Sequence, residues 1–408
     1  MSRLDPILAG FRSADHDEQR SAEDSLAELT PLTTEEAAAA LRAAAEELPA
    51  REDDWEDSAG DLAAAAVTGA SEELVPVVEQ VYARLPTPWS RTLALRLLAN
   101  VGSRESVGVL ARLLAAPPDP RSDLGTIWWE SEPRHADLVM PALLAHLGRD
   151  ESRAEVFDLA VRLAATEPIG PEHAAVLAPA ALAELHALRP RTREAFDWNA
   201  RDLDAALDRR YRAERALTMI GHAPSSADIL EEVERWTSLD PVPAAAAVAA
   251  LLRLRLEPDP SAVARVAADR EARRSLFNAL RDLNRLELVP PEHRTQDALA
   301  ESELVEWLTY PAELGRPPAE IEFAEVISAE TDDGLVDLYV FRFRADAGRI
   351  RPAKWFAGVA GPYRRRDAPT TQSGGMTFSA FEQWDDRSPL DHAELVAGIL
   401  ESWRQADR

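Results

Sequence analysis

The sequence predicts a mainly α-helical protein. Residues 1–314 read as a right-handed α-solenoid of antiparallel helical hairpins, and residues 315–408 as a small α+β domain with an antiparallel sheet and a C-terminal helix. Three observations carry that expectation. Apolar residues recur at helical spacing between regularly placed breakers over about three hundred residues. The period then changes to strand-like alternation at residues 314–323, where Pro317-Pro318 is followed by Ile321 and Phe323. Alanine runs at 37–40, 63–66 and 244–247 suit closely packed helices.

The clearest hairpin spans 88–116. Leu93, Leu97 and Val101 share one helical face, Gly102 is placed to end that helix, Ser103 to cap the next, and Val107, Leu110 and Leu114 form its stripe. The same grammar returns at 212–236. There Ala213, Leu217 and Ile220 precede Gly221, and Ser225 with Asp228 forms a cap pair before Ile229, Val233 and Trp236. Further units read at 137–165, 243–268 and 269–288. Thr33 with Glu36 and Ser152 with Glu155 fit capping boxes, and Asp259-Pro260 and Glu167-Pro168 fit helix boundaries. Each hairpin occupies about forty residues, the period at which stacked helix pairs bury one another's apolar faces. Over roughly residues 30–300 this pattern resembles the HEAT-like repeat superfamily. The resemblance implies an architecture whose usual role is to present an extended surface to a partner, and it implies no reaction. One connection breaks the rhythm: residues 116–135 hold four prolines, Gly125 and the pair Trp128-Trp129. Such a stretch either binds something or folds its indoles back into a groove between repeats.

In the C-terminal part, 321–328, 335–344, 354–360 and 376–384 read as strands, with turns at 332–334 and 346–348. On the second strand Leu335, Tyr339, Phe341 and Phe343 share one face by parity, while Val336, Leu338 and Val340 share the other. An apolar centre on both faces predicts an inner strand covered on both sides. Ser388-Pro389 opens a final helix with Leu395, Ile399 and Trp403 at helical spacing. This small domain is expected to dock on the last repeats.

Composition narrows function mainly by exclusion. The chain has 408 residues, 46% of them hydrophobic, so it can bury a large core. Its charge is 45 − 72 = −27, a field that repels phosphate backbones and anionic membranes. Lys354 is the only lysine and follows Arg351-Pro352-Ala353, so a P-loop is excluded; it reads as a strand-edge charge. The absence of cysteine removes disulfides, thiolate metal sites and cysteine nucleophiles. The start lacks an apolar signal core, and the longest apolar stretch, 241–252, is too short to span a bilayer. A cytoplasmic protein without membrane attachment and without a cofactor is the expectation.

The search for chemistry is largely negative. No two of the eight histidines stand four apart on a helix. Among HEAT-like proteins the iron-dependent hydroxylases use His-Glu dipeptides; here the order is Glu172-His173 and Glu292-His293, which does not match. No Gly-x-Ser-x-Gly elbow exists. A second enzymatic branch, the alkylpurine DNA glycosylases, implies concave tryptophans, an aspartate and basic side chains, for which Trp198 and Asp202 in the arginine-rich stretch 189–215 are the candidates. Eight arginines against six acids there is a thin surplus for tracking a duplex.

Two charged segments remain. Residues 1–90 hold six bases and twenty acids, 6 − 20 = −14, sharpest at Arg51-Glu52-Asp53-Asp54-Trp55-Glu56-Asp57. Asp53, Asp54, Trp55, Glu56 and Asp57, with Trp128 and Trp129, are the candidate contacts for a basic protein or peptide, with aromatic anchors inside a steering field; a solvated loop is the competing reading. The second segment is Gly361-Pro362-Tyr363-Arg364-Arg365-Arg366-Asp367, where Arg364, Arg365 and Arg366 are candidates for holding an anion, against a hairpin loop paired with the protein's own acids. The expectation is therefore a non-catalytic interaction scaffold, an inhibitor or immunity-type protein being one version. A HEAT-fold enzyme of the glycosylase kind is the alternative, and oligomeric state stays open.

Overall fold

The computed structural model describes residues 2–49, 57–115, 124–129, 131–189, 196–310, 313–331, 334–345, 354–366, 368–375 and 377–406. These residues form a mainly helical protein with one four-stranded antiparallel sheet. By internal contacts the chain divides into residues 1–183 and 184–408.

The first unit contains α1 (Asp5–Phe11), α2 (His16–Leu29), α3 (Thr34–Ala44), α4 (Ser58–Val67), α5 (Val75–Val81), α6 (Pro88–Val101), α7 (Arg104–Ala115), α8 (Leu124–Ile127), α9 (Ala136–Leu144), α10 (Asp150–Ala164) and the beginning of α11 (Pro171–Leu188). Packing is local in sequence: α3 lies on α4 and α5, α4 on α6, α6 on α7 and α8, and α7 on α9. Several ends form as the sequence predicts. Thr33 and Glu36 make a full capping box, Gly102 closes α6 in the left-handed conformation at φ 66°, and Ser103 Oγ accepts from the Ser106 amide at 3.1 Å.

The predicted Ser152–Glu155 box does not form. Helix α10 begins at Asp150, so Ser152 lies inside it, and the Glu155 carboxylate accepts instead from the Leu124 and Gly125 amides at 2.8 and 3.2 Å. Glu167 does the same for the His135 and Ala136 amides at 3.1 and 3.0 Å. Both carboxylates satisfy orphan donors at helix starts about thirty residues upstream, a long-range form of capping.

The second unit contains α12 (Leu203–Ile220), α13 (Ala227–Trp236), α14 (Pro241–Arg253), α15 (Pro260–Ala268), α16 (Arg273–Asp282), α17 (Gln296–Leu308), β1 (Glu320–Thr331), β2 (Gly334–Ala345), β3 (Lys354–Arg364), β4 (Phe378–Gln383) and α18 (Pro389–Ala406). Here α14 packs on α12, α13, α15 and α16, and α16 packs on α17. The cap of α13 is Ser226, one residue beyond the expected Ser225, while Asp259 caps α15 ahead of Pro260 as expected.

The sheet runs in the order β1-β2-β3-β4, so β2 is an inner strand. Its Tyr339, Phe341 and Phe343 join Ala300, Leu304, Val305 and Leu308 of α17 in one core, and its Val340 joins Ala393 and Val396 of α18 in another. Both faces are covered, as the parity of its apolar residues requires. The change of secondary structure after residue 314 therefore lies inside a continuous core shared by α17 and the sheet. Ser388 and Asp391 cap α18 reciprocally. Of the predicted stripe of α18, Leu395 does not face the sheet. Leu395 is exposed, while fully buried His392 stacks on Trp384 with ring centroids 4.3 Å apart; the side chains of Ile399 and Trp403 lie outside the described ones.

Candidate functional site

Asp53, Asp54, Trp55 and Glu56 lie outside the described residues. Asp57 is described and is engaged: its carboxylate accepts from the Gly60 amide at 2.9 Å, capping α4, and from the Thr87 hydroxyl at 2.6 Å. It ties the start of α4 to the start of α6. The tryptophan pair separates. Trp128, expected to face a partner, is 2% exposed and its carbonyl accepts from Arg162, so burial takes it out of the contact surface; Trp129 is 76% exposed.

A third indole is exposed as well and had no sequence signal of its own. Trp89 follows Pro88 in the first turn of α6, a position equally compatible with burial, yet it is 44% exposed. A Cβ added to Gly60 would stand 2.5 Å from Trp89 Cδ1, so the indole lies directly over the first turn of α4, where the acidic segment ends. Around it the unit carries 15 − 32 = −17. Several of its arginines are held in ion pairs: Arg3 with Glu36, Arg12 with Glu46, Arg104 with Asp137 and Arg112 with Glu79. Arg3 and Thr33 hold the Glu36 carboxyl down at about 2, so it is ionised through the whole neutral range.

In the second unit, the Trp198–Asp202 pair does not converge. Asp202 caps α12, accepting from the Ala205 amide at 3.1 Å. Trp198 meets Phe196 edge-on at 4.9 Å, and the Arg210 guanidinium lies 4.4 Å from the Phe196 ring and 5.7 Å from that of Trp198. Arg210 is also bound by Asp240 and Glu271, Arg212 by Glu184 and Arg189 by Glu232. Three of the eight arginines in this stretch are thus paired with acids of the protein itself. Phe196, Trp198, Arg210, Arg270, Glu271 and Pro317 line a cleft of about 440 Å³.

A buried polar cluster sits where α16 and α17 meet the sheet. Between the register pairs Asp337↔Tyr363 and Tyr339↔Ala360, β3 carries one residue more than β2. Gly361 occupies this bulge at φ 124°, a backbone conformation that side chains resist. The extra residue reverses parity, so Tyr363 turns toward α17 together with Phe356 and Ala360. Its hydroxyl donates to Glu303 Oε2 at 2.6 Å; the Thr377 hydroxyl donates to Oε1, and Arg274 Nη2 lies 3.4 Å from Oε2. Arg274 also reaches Glu306 at 2.7 Å and the Thr371 carbonyl at 3.0 Å.

Burial and the neighbouring Glu303 charge hold the Tyr363 phenol far above its ordinary range. Burial pushes the Glu306 carboxyl up to about 7 against the pull of Arg274, although 34% of the side chain remains accessible. With Glu303 and Tyr363 both enclosed and both hydroxyls already donating to a carboxylate, this cluster acts as a clasp between sheet and helices.

Arg365 belongs to a neighbouring feature. It pairs with Asp337 through two nitrogens, the contact that lowers the Asp337 pKa, so of the three candidate anion-binding arginines this one is taken by the protein's own acid. Arg364 and Arg366 are exposed beside it. Lys354 opens β3 and donates to Gln383 at 2.9 Å. Among the described residues no group of three or more His, Asp or Glu is placed to hold a metal ion, and no helix is long and apolar enough to cross a membrane.

Comparison of the chain with protein-family models, with curated proteins and with solved structures gave no match.

Proposed function

We propose that the protein is a non-catalytic interaction scaffold, a HEAT-like solenoid in which the acidic surface of residues 1–183 receives a basic protein or peptide. The observation that carries this reading is the exposed Trp89 indole, set on Gly60 where the acidic segment enters α4, in a unit of net charge −17. An aromatic anchor inside a field of one sign suits recognition of a cationic partner, the charge steering encounter and the indole adding short-range contact. Trp129 offers a second exposed indole. The sequence-local packing of the helices supports the repeat reading. An inhibitor or immunity-type protein that neutralises a cationic enzyme is the specific version, with a cytoplasmic location.

The alternative, a base-excision enzyme of the glycosylase kind, draws less support. Asp202 serves as a helix cap, and Arg189, Arg210 and Arg212 are paired with acids rather than arrayed for phosphates.

The test is affinity capture on the full chain at low salt, followed by association kinetics with the partner retained. Association should slow steeply between low and moderate salt, Asp53→Asn/Asp54→Asn/Glu56→Gln should slow it further, and Trp89→Ala should raise the dissociation rate. A partner whose binding ignores salt and all four substitutions overturns the acidic-surface reading.

A further inference from the structure

We propose that α16 and the first turn of α17 form a seat for an extended, uncharged peptide segment anchored by a threonine, and that residues 368–375 of the chain itself fill this seat as a built-in competitor. The partner is a protein segment of the same chemistry as this strap.

The seat reads main chain. Gln296 Nε2 donates to the Thr370 carbonyl at 2.9 Å, and Gln296 Oε1 accepts from the Thr370 amide at 2.8 Å, so one side-chain amide satisfies both backbone groups of a single residue. Arg274 Nη2 donates to the next carbonyl, that of Thr371, at 3.0 Å. These are groups that nearly every peptide residue carries, and the helices would offer the same contacts to a segment from another chain.

One side chain is read as well. Thr371 is 6% exposed, and its hydroxyl donates to Asn278 Oδ1 while accepting from Arg281 Nη1 at 3.3 Å. A hydroxyl can do both at once, whereas valine, of the same shape, can do neither. Arg274, Asn278 and Arg281 stand at i, i+4 and i+7 of α16 and share one helical face, with Leu276 and Leu280 buried on the opposite one. Arg274 is oriented by Glu306 and Glu303 of α17 and Arg281 by Asp282, so these readers keep their direction without the strap.

Little else ties the strap down. Among the described residues its one further bond to the rest of the chain runs from the Gly374 amide to the Pro362 carbonyl at 2.7 Å. Of residues 368–375 only Thr371 is buried, and the segment adds no apolar side chain to either core of the sheet. It ends in Gly374-Gly375, the second at φ 71° with nothing within 4 Å of where a Cβ would stand. A segment held by hydrogen bonds without buried apolar contact opens at low local cost while the cores stay packed. It carries no charged residue in a chain of −27, so its recognition needs no ionic steering.

The experiment is fluorescence anisotropy of a labelled peptide with the sequence of residues 368–375, titrated with the full chain. Thr370→Gly/Thr371→Gly removes the anchor of the strap and leaves every residue of the seat. This variant should bind the peptide saturably and at least about ten-fold tighter than the parent, whose seat is available only in the open fraction. Adding Gln296→Ala should weaken that binding about thirty-fold, as expected for two hydrogen bonds between neutral groups, and a peptide with valine at the position of Thr371 should lose about ten-fold. In the parent, hydrogen exchange of segment 368–375 should run at least about ten-fold faster than that of α17. Three results would each overturn the proposal: no peptide binding by a strap variant whose circular dichroism matches the parent, equal binding by parent and strap variant, or strap amides that exchange only together with α17. Peptide binding should be equal at low and moderate salt, and a steep loss would count against it. Its outcome is therefore separate from the salt-dependent association expected of the acidic surface.

Discussion

Replacing Tyr363 by phenylalanine isolates one contact in the clasp between sheet and helices. The ring stays, packed with Leu304, Phe356 and Tyr339 and 1% exposed, so no cavity larger than an oxygen atom opens. What is lost is the 2.6 Å hydrogen bond to the buried Glu303 carboxylate. A hydrogen bond to a charged group contributes about 1.5–3 kcal/mol. Glu303 keeps the Thr377 hydroxyl and Arg274, so the carboxylate is not orphaned and the low end applies, about 1.5–2 kcal/mol. That is a factor of roughly 10–30 in the folded-to-unfolded ratio.

Glu303→Gln should cost more, because it also withdraws a charge from Arg274. The double variant should then show a coupling of about 0.5–3 kcal/mol between the two positions. Urea titration followed by hydrogen exchange on the α17 and β3 segments is the assay, since a global signal would mix the two compact units. Tyr363→Phe within about 0.5 kcal/mol of the parent, or additivity in the cycle, would refute the clasp.

Two further outcomes follow from the same structure. Gly60→Ala should destabilise residues 1–183 by about 1–3 kcal/mol and shift the emission of Trp89, because the new Cβ meets the indole at 2.5 Å and the Asp57 carboxylate at 2.7 Å; an unchanged spectrum and urea midpoint would count against that placement. Burial, reinforced by Arg253, lowers the His222 pKa to about 4, and its Nε2 is buried without a partner. The unfolded chain therefore binds the extra proton more readily, so this stability is fully present above about 6.5, is lost as pH falls toward 4, and amounts to about 1–3 kcal/mol after allowance for partial exposure. His222→Gln should remove that part of the acid sensitivity in urea titrations at pH 7 and 4.5, and an equal loss in the variant would refute it.

Much of the local structure was legible because it depends on neighbours in sequence. Thr33 with Glu36, Gly102 with Ser103 and Asp259 with Pro260 act within one turn of a helix, where backbone donors and side-chain acceptors are a few residues apart. Strand β2 announced its inner position through apolar residues of both parities. The failures share one cause, a partner distant in the chain. Glu155 has the spacing for a capping box with Ser152, yet its carboxylate goes to amides at Leu124 and Gly125. Trp128 and Trp129 are adjacent and identical in type, and only packing sends one inward. Leu395 of the expected stripe is left outward, because small Ala393 and Val396 fit against the sheet.

By itself the sequence determined the helical class, the switch to a sheet after residue 314, the one-sided charge and the lack of thiol chemistry, all properties of composition and short-range periodicity. The tertiary structure decided which charges are spent and which remain. Arg365 is cancelled by Asp337, Arg210 by Asp240 and Glu271, and Arg274 is shared by Glu303 and Glu306. It also decided that a single extra residue at Gly361 turns Tyr363 onto Glu303. Ion pairing and side-chain direction depend on distances across the fold, and those exist only once the chain has closed on itself.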